Sequence, residues 1–468
     1  MLFPSEEFLY IFLPLTLALY FIIPKRFTEA RNVILTLASL FFYAWGEEKN
    51  VLLLLGMALA DWGLALILEK MKEGGLRKAL FLLSVAGNLA ALIWYKYAVF
   101  TIVELNRFFN AGIRIPLVIL PIGISFFTFQ AMSYVIDVYR GKYAAEKNPV
   151  HVVLYVAFFP QLIAGPIVRF EDIRERITKR HENLSDFSYG AKRFCIGLGK
   201  KVLLANQMAL IADGVFALVT PEGFKGTVAT AWLGAFAYML QIFFDFAGYS
   251  DMAIGLGSMF GFRFGENFIY PFAAANMTEF WRRWHISLQT WFRDYVYIPM
   301  GGSRVKKSRW ILNVFVVWLL TGIWHGANWT YVAWGLAQFA ALLFENFTGL
   351  SKKKYWWGHI VTVMYFMFTV VVFRSTGLKA ALRFILAMFG IGSTGIADGV
   401  AFAFLQQQGV WLLLAAVLSL PLIPALEKKF SGKKLWNGLY GFGVAAVFIL
   451  CLSFIANNAY NPFIYFHF

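Results

Sequence analysis

The sequence predicts an all-α integral membrane protein with about twelve crossings and one re-entrant segment. Three observations predict it. Sixty per cent of the 468 residues are hydrophobic against 15% charged, the mean hydropathy is +0.63, and long apolar runs recur along the whole chain. The formal charge of +16 does not point to nucleic acid, because the basic residues lie between apolar runs rather than on a polar domain. The 50 Phe and 16 Trp suit lipid-facing surfaces and interfacial belts. No stretch between the runs is long enough for a soluble domain, so residues 1–468 read as one membrane domain.

In chain order, apolar runs long enough to cross occupy 8–24, 32–46, 51–68, 79–100, 116–137, 194–219, 227–258, 310–324, 328–348, 358–374, 399–424 and 438–457. Met1 to Glu7 carry two acids and no positive n-region, so no cleavable signal peptide is expected. Lys25 and Arg26 follow the first run and orient it with its N-terminus outside. A further run, 150–166, is interrupted by Pro160, Gly165 and Pro166. If it crossed, the basic stretch from Arg169 to Lys201 would lie outside, so it reads as re-entrant. The inside loops then collect most of the 42 Lys and Arg, and both termini fall outside.

The segment 167–190, charged in both signs, reads as a cytoplasmic surface helix. The segment 261–309 mixes Trp and Tyr with Arg and reads as an amphipathic or partly inserted layer beneath the membrane. Cys195 and Cys451 lie in different spans and suggest neither a disulfide framework nor a metal site.

Two of the six histidines fall within 276–329. Asn276, with Glu279 three residues on, reads as an N-cap and its capping-box partner, so 277–293 is expected as one helix. Trp281, His285, Leu288 and Phe292 then share a stripe that puts His285 on an apolar face, with Arg282 and Arg293 elsewhere. Downstream, 310–324 follows the basic run Arg304, Lys306, Lys307 and Arg309. With that run at the membrane surface, a rise of ~1.5 Å per residue carries His325 on the order of 20 Å into a hydrocarbon layer ~30 Å thick. An imidazole there is either a functional group facing a cavity or a structural one bonded to a backbone carbonyl. Gly322 and Gly326 suit a close substrate approach and a tight helix break equally. Gly255-Leu256-Gly257 has no third glycine and is no phosphate fingerprint. No Ser-centred nucleophile motif appears.

Five stretches resemble the membrane-bound O-acyltransferases, in the alginate O-acetylation-type branch that modifies bacterial exopolysaccharides. They are Phe280-Trp-Arg-Arg-Trp-His285-Ile-Ser-Leu288, Trp291-Phe-Arg-Asp-Tyr-Val-Tyr-Ile-Pro299, Trp324-His325-Gly326-Ala-Asn-Trp329, Phe158-Phe-Pro-Gln-Leu-Ile-Ala-Gly-Pro166 and Asp245-Phe-Ala-Gly-Tyr-Ser-Asp251. The likeness covers most of 115–345. In the helices of 358–457 it is mainly hydropathy, and it returns in the aromatic tail 461–468.

The resemblance implies a core enclosing a central transmembrane tunnel, in a bacterial cytoplasmic membrane. It makes His325 the catalytic position and His285 its support. A histidine suits that task, because an unperturbed pKa of ~6.5 leaves it largely neutral at cytoplasmic pH. Trp324, Asn328, Asp251 and Tyr249 fall in matching motifs, where they either line the tunnel or bond backbone at helix breaks. Arg282, Arg283 and Arg293 either attract the phosphates of the donor or serve as snorkelling anchors. The implied donor is acetyl-coenzyme A, a substrate rather than a bound cofactor. The implied partner is an extracytoplasmic SGNH-type, esterase-like protein that completes transfer to a polysaccharide. The hydroxyl of Tyr465 either relays the acyl group or belongs to an interfacial anchor. Two rival functions remain: D-alanyl transfer to teichoic acid from a carrier protein, and transport of an acylated envelope precursor without chemistry.

Overall fold

A computed structural model of the chain describes residues 1–353, 355–430, 432–457, 460–462 and 464. Among the described residues the chain forms helices and no β-strand. They gather into two units, Met1–Phe194 with Met252–Gly265, and Cys195–Asp251 with Glu266–Phe468.

The first unit contains α1 (Glu7–Ile22), α2 (Thr28–Glu47), α3 (Asn50–Lys70), α4 (Gly75–Phe109), α5 (Ile124–Tyr139), α6 (Pro149–Ala157), α7 (Phe159–Leu162) and α8 (Phe170–Thr178). Phe8, Phe12, Phe42 and Phe159 pack ring against ring with centroids 5.2–6.2 Å apart. Asn148 starts α6 by accepting from the Val150 amide at 3.0 Å, with Pro149 at the first helical position. The chain breaks at Phe158, where ψ swings to 112°. A nine-residue helix rises about 14 Å, less than half of a ~30 Å hydrocarbon layer. The 150–166 run is therefore not a crossing helix, as its prolines and glycine predict.

α8 exposes its charges and buries Phe170, Ile173 and Ile177, as a surface helix should. Beyond it the expected solvated face gives way to a buried ionic cluster. Glu182 pairs with Arg31, both almost sealed from solvent. Arg180 donates to the Tyr20 hydroxyl at 2.9 Å and to the Asn32 side chain. A charged segment folds inward here because each charge finds a partner.

Two long helices, α9 (Leu184–Phe216) and α10 (Val228–Met259), run from one unit into the other. Helix begins at Leu184, so Lys200 and Lys201 are not loop residues. They sit mid-helix in a π-helical turn, Lys200–Ala205.

The second unit continues with α11 (Met277–Trp281), α12 (Ile286–Phe292), α13 (Lys307–His325), α14 (Trp329–Thr348), α15 (Trp356–Arg374), α16 (Leu378–Met388), α17 (Gly399–Leu418), α18 (Leu422–Phe430) and α19 (Lys434–Ala456). α13 and α14 form a tight hairpin. A Cβ added at Gly322 would lie 2.5 Å from the Tyr331 carbonyl oxygen, and one at Gly335 2.4 Å from that of Trp318. Of the amphipathic or partly inserted layer expected over 261–309, the tryptophans are inserted into the protein interior. Trp281, Trp284 and Trp291 are buried. Phe280, Trp284 and Phe366 pack with centroids 4.5–5.5 Å apart, and Trp281 lies 4.7 Å from Trp318. Burying a large ring outweighs its taste for an interface when apolar neighbours are within reach.

Seven described helices are long and apolar enough to cross a membrane: α3, α4, α9, α10, α15, α17 and α19. α19 buries only Cys451 and exposes Leu435, Leu439, Phe442 and Ile449, a surface that lipid can solvate. The chain is a multi-pass membrane protein. Exposed Glu175 on α8 offers a topological probe. From the distribution of basic residues, Glu175→Cys in intact cells is expected to resist an impermeant maleimide and to react once the cells are permeabilised. Labelling without permeabilisation would invert the orientation.

Candidate active site

The site begins with a helix that fails to continue. The expected helix over 277–293 starts as predicted, with the Asn276 side chain accepting from the Glu279 amide at 2.8 Å. Glu279 reaches back to the Ala275 amide at 3.1 Å. The buried Glu345 of α14, invisible to local pattern, accepts from the Met277 and Thr278 amides at 2.5 and 2.9 Å. The helix then ends at Trp281. His285 adopts the left-handed conformation, φ 48° and ψ 51°, and α12 starts afresh behind it.

Asn267 supplies the physical reason for the break. Its carbonyl accepts from the Ile286 amide at 3.0 Å. Its side-chain oxygen accepts from the Ser287 amide at 3.0 Å and from the Ser287 hydroxyl at 2.9 Å, while its amide donates to Ser250 Oγ at 3.1 Å. One buried asparagine thus caps a helix from outside it and fixes the αL turn that aims His285.

His325 arrives from another direction, as the last residue of α13. Gly326 follows in extended backbone, and the Asn328 side chain caps α14 through the Thr330 amide at 3.1 Å. The His325 ring stands edge-on to Trp334 and Phe373, with centroids 5.0 and 5.1 Å away. Trp324 separates the two imidazoles, 6.0 Å from the His285 ring and 5.1 Å from that of His325. Both histidines line one small cavity of about 20 Å³, together with Phe246, Phe268, Phe366 and Phe373. That volume holds about one water, less than a thioester occupies. His285 is buried, and its Nδ1 has no hydrogen-bond partner among the described residues. A buried polar atom left open beside a cavity is free to bond what enters it.

Comparison with known proteins shows the family of the chain. A family model for membrane-bound O-acyltransferases matches residues 146–374. A protein of Pseudomonas putida named "Probable alginate O-acetylase AlgI" is 39% identical over the whole of both chains. The chain belongs to the membrane-bound O-acyltransferase family. Its namesake in Pseudomonas syringae pv. tomato is 43% identical over 85% of this chain and 77% of its own. The "Peptidoglycan O-acetyltransferase" of Helicobacter pylori is 32% identical over 87% and 82% respectively. The protein is an O-acyltransferase of the membrane.

The remaining expected residues of this acyltransferase do not converge on the cavity. Asn328 is a helix cap whose amide donates to the Thr376 carbonyl at 3.2 Å. Asp251 accepts from Lys200 at 2.5 Å, and Tyr249 is fully buried. Arg283 is tied to Glu279 at 2.6 Å, exposed Arg293 pairs with adjacent Asp294 at 2.7 Å, and Arg282 is exposed. Tyr465 lies outside the described residues. Sequence reasoning missed Asn267, Glu345 and the cavity wall of Phe246, Phe268, Trp334 and Phe373. Asn267 lies 20 residues before the serine it caps, beyond any local capping signature.

Asn267→Ala strands Ser250 and Ser287, and each buried unsatisfied group costs about 1–3 kcal/mol. With His285 misaligned, acyl transfer is expected to fall on the order of 10²-fold. Asn267→Asp keeps the acceptor for Ser287 and is expected to retain more activity than the alanine variant. Turnover and melting temperature of the purified proteins test both outcomes.

Proposed function

We propose that the chain takes an acetyl group from acetyl-coenzyme A on the cytoplasmic side of a bacterial cytoplasmic membrane and delivers it outside for O-acetylation of an envelope polysaccharide. The observation that carries this reading is the pair of histidines around one small, aromatic-lined cavity. Acyl transfer from a thioester needs a base, a donor for the developing oxyanion and exclusion of water. His325 supplies the base. His285, as its Nδ1–H tautomer, donates to the carbonyl oxygen. The ring wall excludes the water that would hydrolyse the thioester. The names borne by the relatives favour acetyl over other acyl groups and a glycan as the final acceptor.

The acceptor within this chain is the hydroxyl of Tyr465. It attacks the thioester carbonyl while His325 removes its proton. The C–S bond breaks, the proton passes to the departing thiolate, and coenzyme A leaves as the thiol. The tyrosine ester is then attacked by a hydroxyl of an extracytoplasmic SGNH-type partner, which regenerates the phenol and carries the acetyl to sugar. The exposed Arg282 and Arg293 draw the donor's phosphates toward the cytoplasmic face.

Incubating the purified protein with radiolabelled acetyl-coenzyme A is expected to place one acetyl on the C-terminal peptide, at Tyr465. His325→Ala is expected to lower that labelling ~10²–10⁴-fold, the usual cost of losing a general base, without loss of membrane insertion. Full polysaccharide acetylation by Tyr465→Phe would remove the tyrosine ester from the scheme. Absence of both labelling and thioester turnover would favour transport of an acylated precursor.

A further inference from the structure

The interior of the second unit holds an ion pair that the acyl-transfer chemistry does not use. Lys201 and Asp245 meet at 2.5 Å, with side chains 3% and 2% exposed. Burying two charges in an apolar protein is costly, and a hydrophobic pair of similar volume is often as stable or more so. Both partners have a second task. Lys201 Nζ also donates to the Pro462 carbonyl, and the other carboxylate oxygen of Asp245 accepts from the Ile464 amide at 3.1 Å. Cation and anion together therefore bond a backbone acceptor and a backbone donor two residues apart, and Ile464 itself is buried. Two side-chain contacts steady the approach: Asn206 Nδ2 to Asn461 Oδ1 at 3.0 Å, and the Tyr460 hydroxyl to the Asp213 carboxylate at 2.7 Å.

Local structure is arranged to allow this. Lys201 belongs to the π-helical turn, a register change that often marks a functional position. α9 and α10 approach so closely at Gly248 that an added Cβ would stand 2.8 Å from the Gly197 carbonyl oxygen and 3.0 Å from the Lys201 amide. Asp245 sits one residue before Phe246, which lines the histidine cavity. The turn of α10 that holds Ile464 is thus the turn that walls the catalytic space, and the chain runs from Ile464 directly into Tyr465.

We propose that Lys201 and Asp245 are positioning residues, a charged clamp that grips the C-terminal segment by its main chain and thereby sets the reach of the next residue. This rests on the reading of Tyr465 as the acyl acceptor. The clamp reads backbone alone, so it fixes where the tail lies independently of its side chains, and it brings the tyrosine to the site at high effective concentration.

Full-length protein in nanodiscs tests the clamp through two independent readouts. Lys201→Met with Asp245→Leu removes both charges and leaves neither buried alone. Release of the C-terminal residues by carboxypeptidase is expected to accelerate at least ~10-fold, and kcat to fall ~10²-fold with KM for acetyl-coenzyme A within about twofold. The exchanged pair, Lys201→Asp with Asp245→Lys, restores the ion pair but reverses donor and acceptor. It is expected to behave like the apolar pair, which a purely structural salt bridge would not do. Unchanged tail release or unchanged kcat in the apolar pair overturns the clamp, as does wild-type kcat in the exchanged pair. If both variants melt so low that tail release follows global unfolding, the pair belongs to the fold alone and the clamp is likewise overturned. Tyr465→Phe separates the two ideas. If it is inactive while the apolar pair keeps wild-type kcat, the tyrosine reading stands and the clamp falls. If it retains full acetylation, the tyrosine reading falls and takes the clamp's purpose with it.

Discussion

A helix that stops inside an apolar protein leaves main-chain groups that only the protein can satisfy. This constraint governs the second unit, because His285 and His325 stand at helix breaks. Asn267 satisfies the break at His285. Asn276 and Glu345 share the start of α11, and Asn328 closes the break after His325. Asn267, Asn276 and Glu345 are buried polar side chains and Asn328 is half-buried, and each fixes the direction of the chain at a helix break. Remove the caps and the imidazoles have no reason to face one space.

Charge in the interior follows the same economy. Arg31 with Glu182, Lys200 with Asp251 and Arg374 with Asp213 are all matched, since an isolated ion in such surroundings would sooner lose its charge than stay. Where a pair reaches further, to backbone or to a hydroxyl, it does what a hydrophobic substitute could not. Asp213 serves Arg374 with one oxygen and Tyr460 with the other.

Hydropathy made much of this fold legible. The runs at 194–219 and 227–258 largely coincide with parts of α9 and α10, and the prolines and glycine of 150–166 announced a broken segment. Asn276 was readable as a cap because its partner amide is three residues away. His325 drew notice as an imidazole at the end of the apolar run 310–324, inside the Trp324-His325-Gly326 motif. The continuous helix through His285 was a wrong expectation, because the periodicity of Trp281, His285, Leu288 and Phe292 is real while the break is imposed from Asn267 on another segment. Lys201 looked like one more cytoplasmic cation for a comparable reason. Its partners lie on α10 and at the far end of the chain, and composition carries no record of distant pairing. The tryptophans of 281–291 misled in the opposite sense, since an interfacial and a core tryptophan are identical in sequence.

The hairpin of α13 and α14 has one further implication. At Gly322 and Gly335 the two backbones are so close that no methyl group fits between them. A side chain at either position would wedge α13 away from α14 and shift His325, the last residue of α13, relative to the Phe246, Phe268 and Phe373 rings that share its cavity. The dimensions of that space are thus tied to the absence of two side chains.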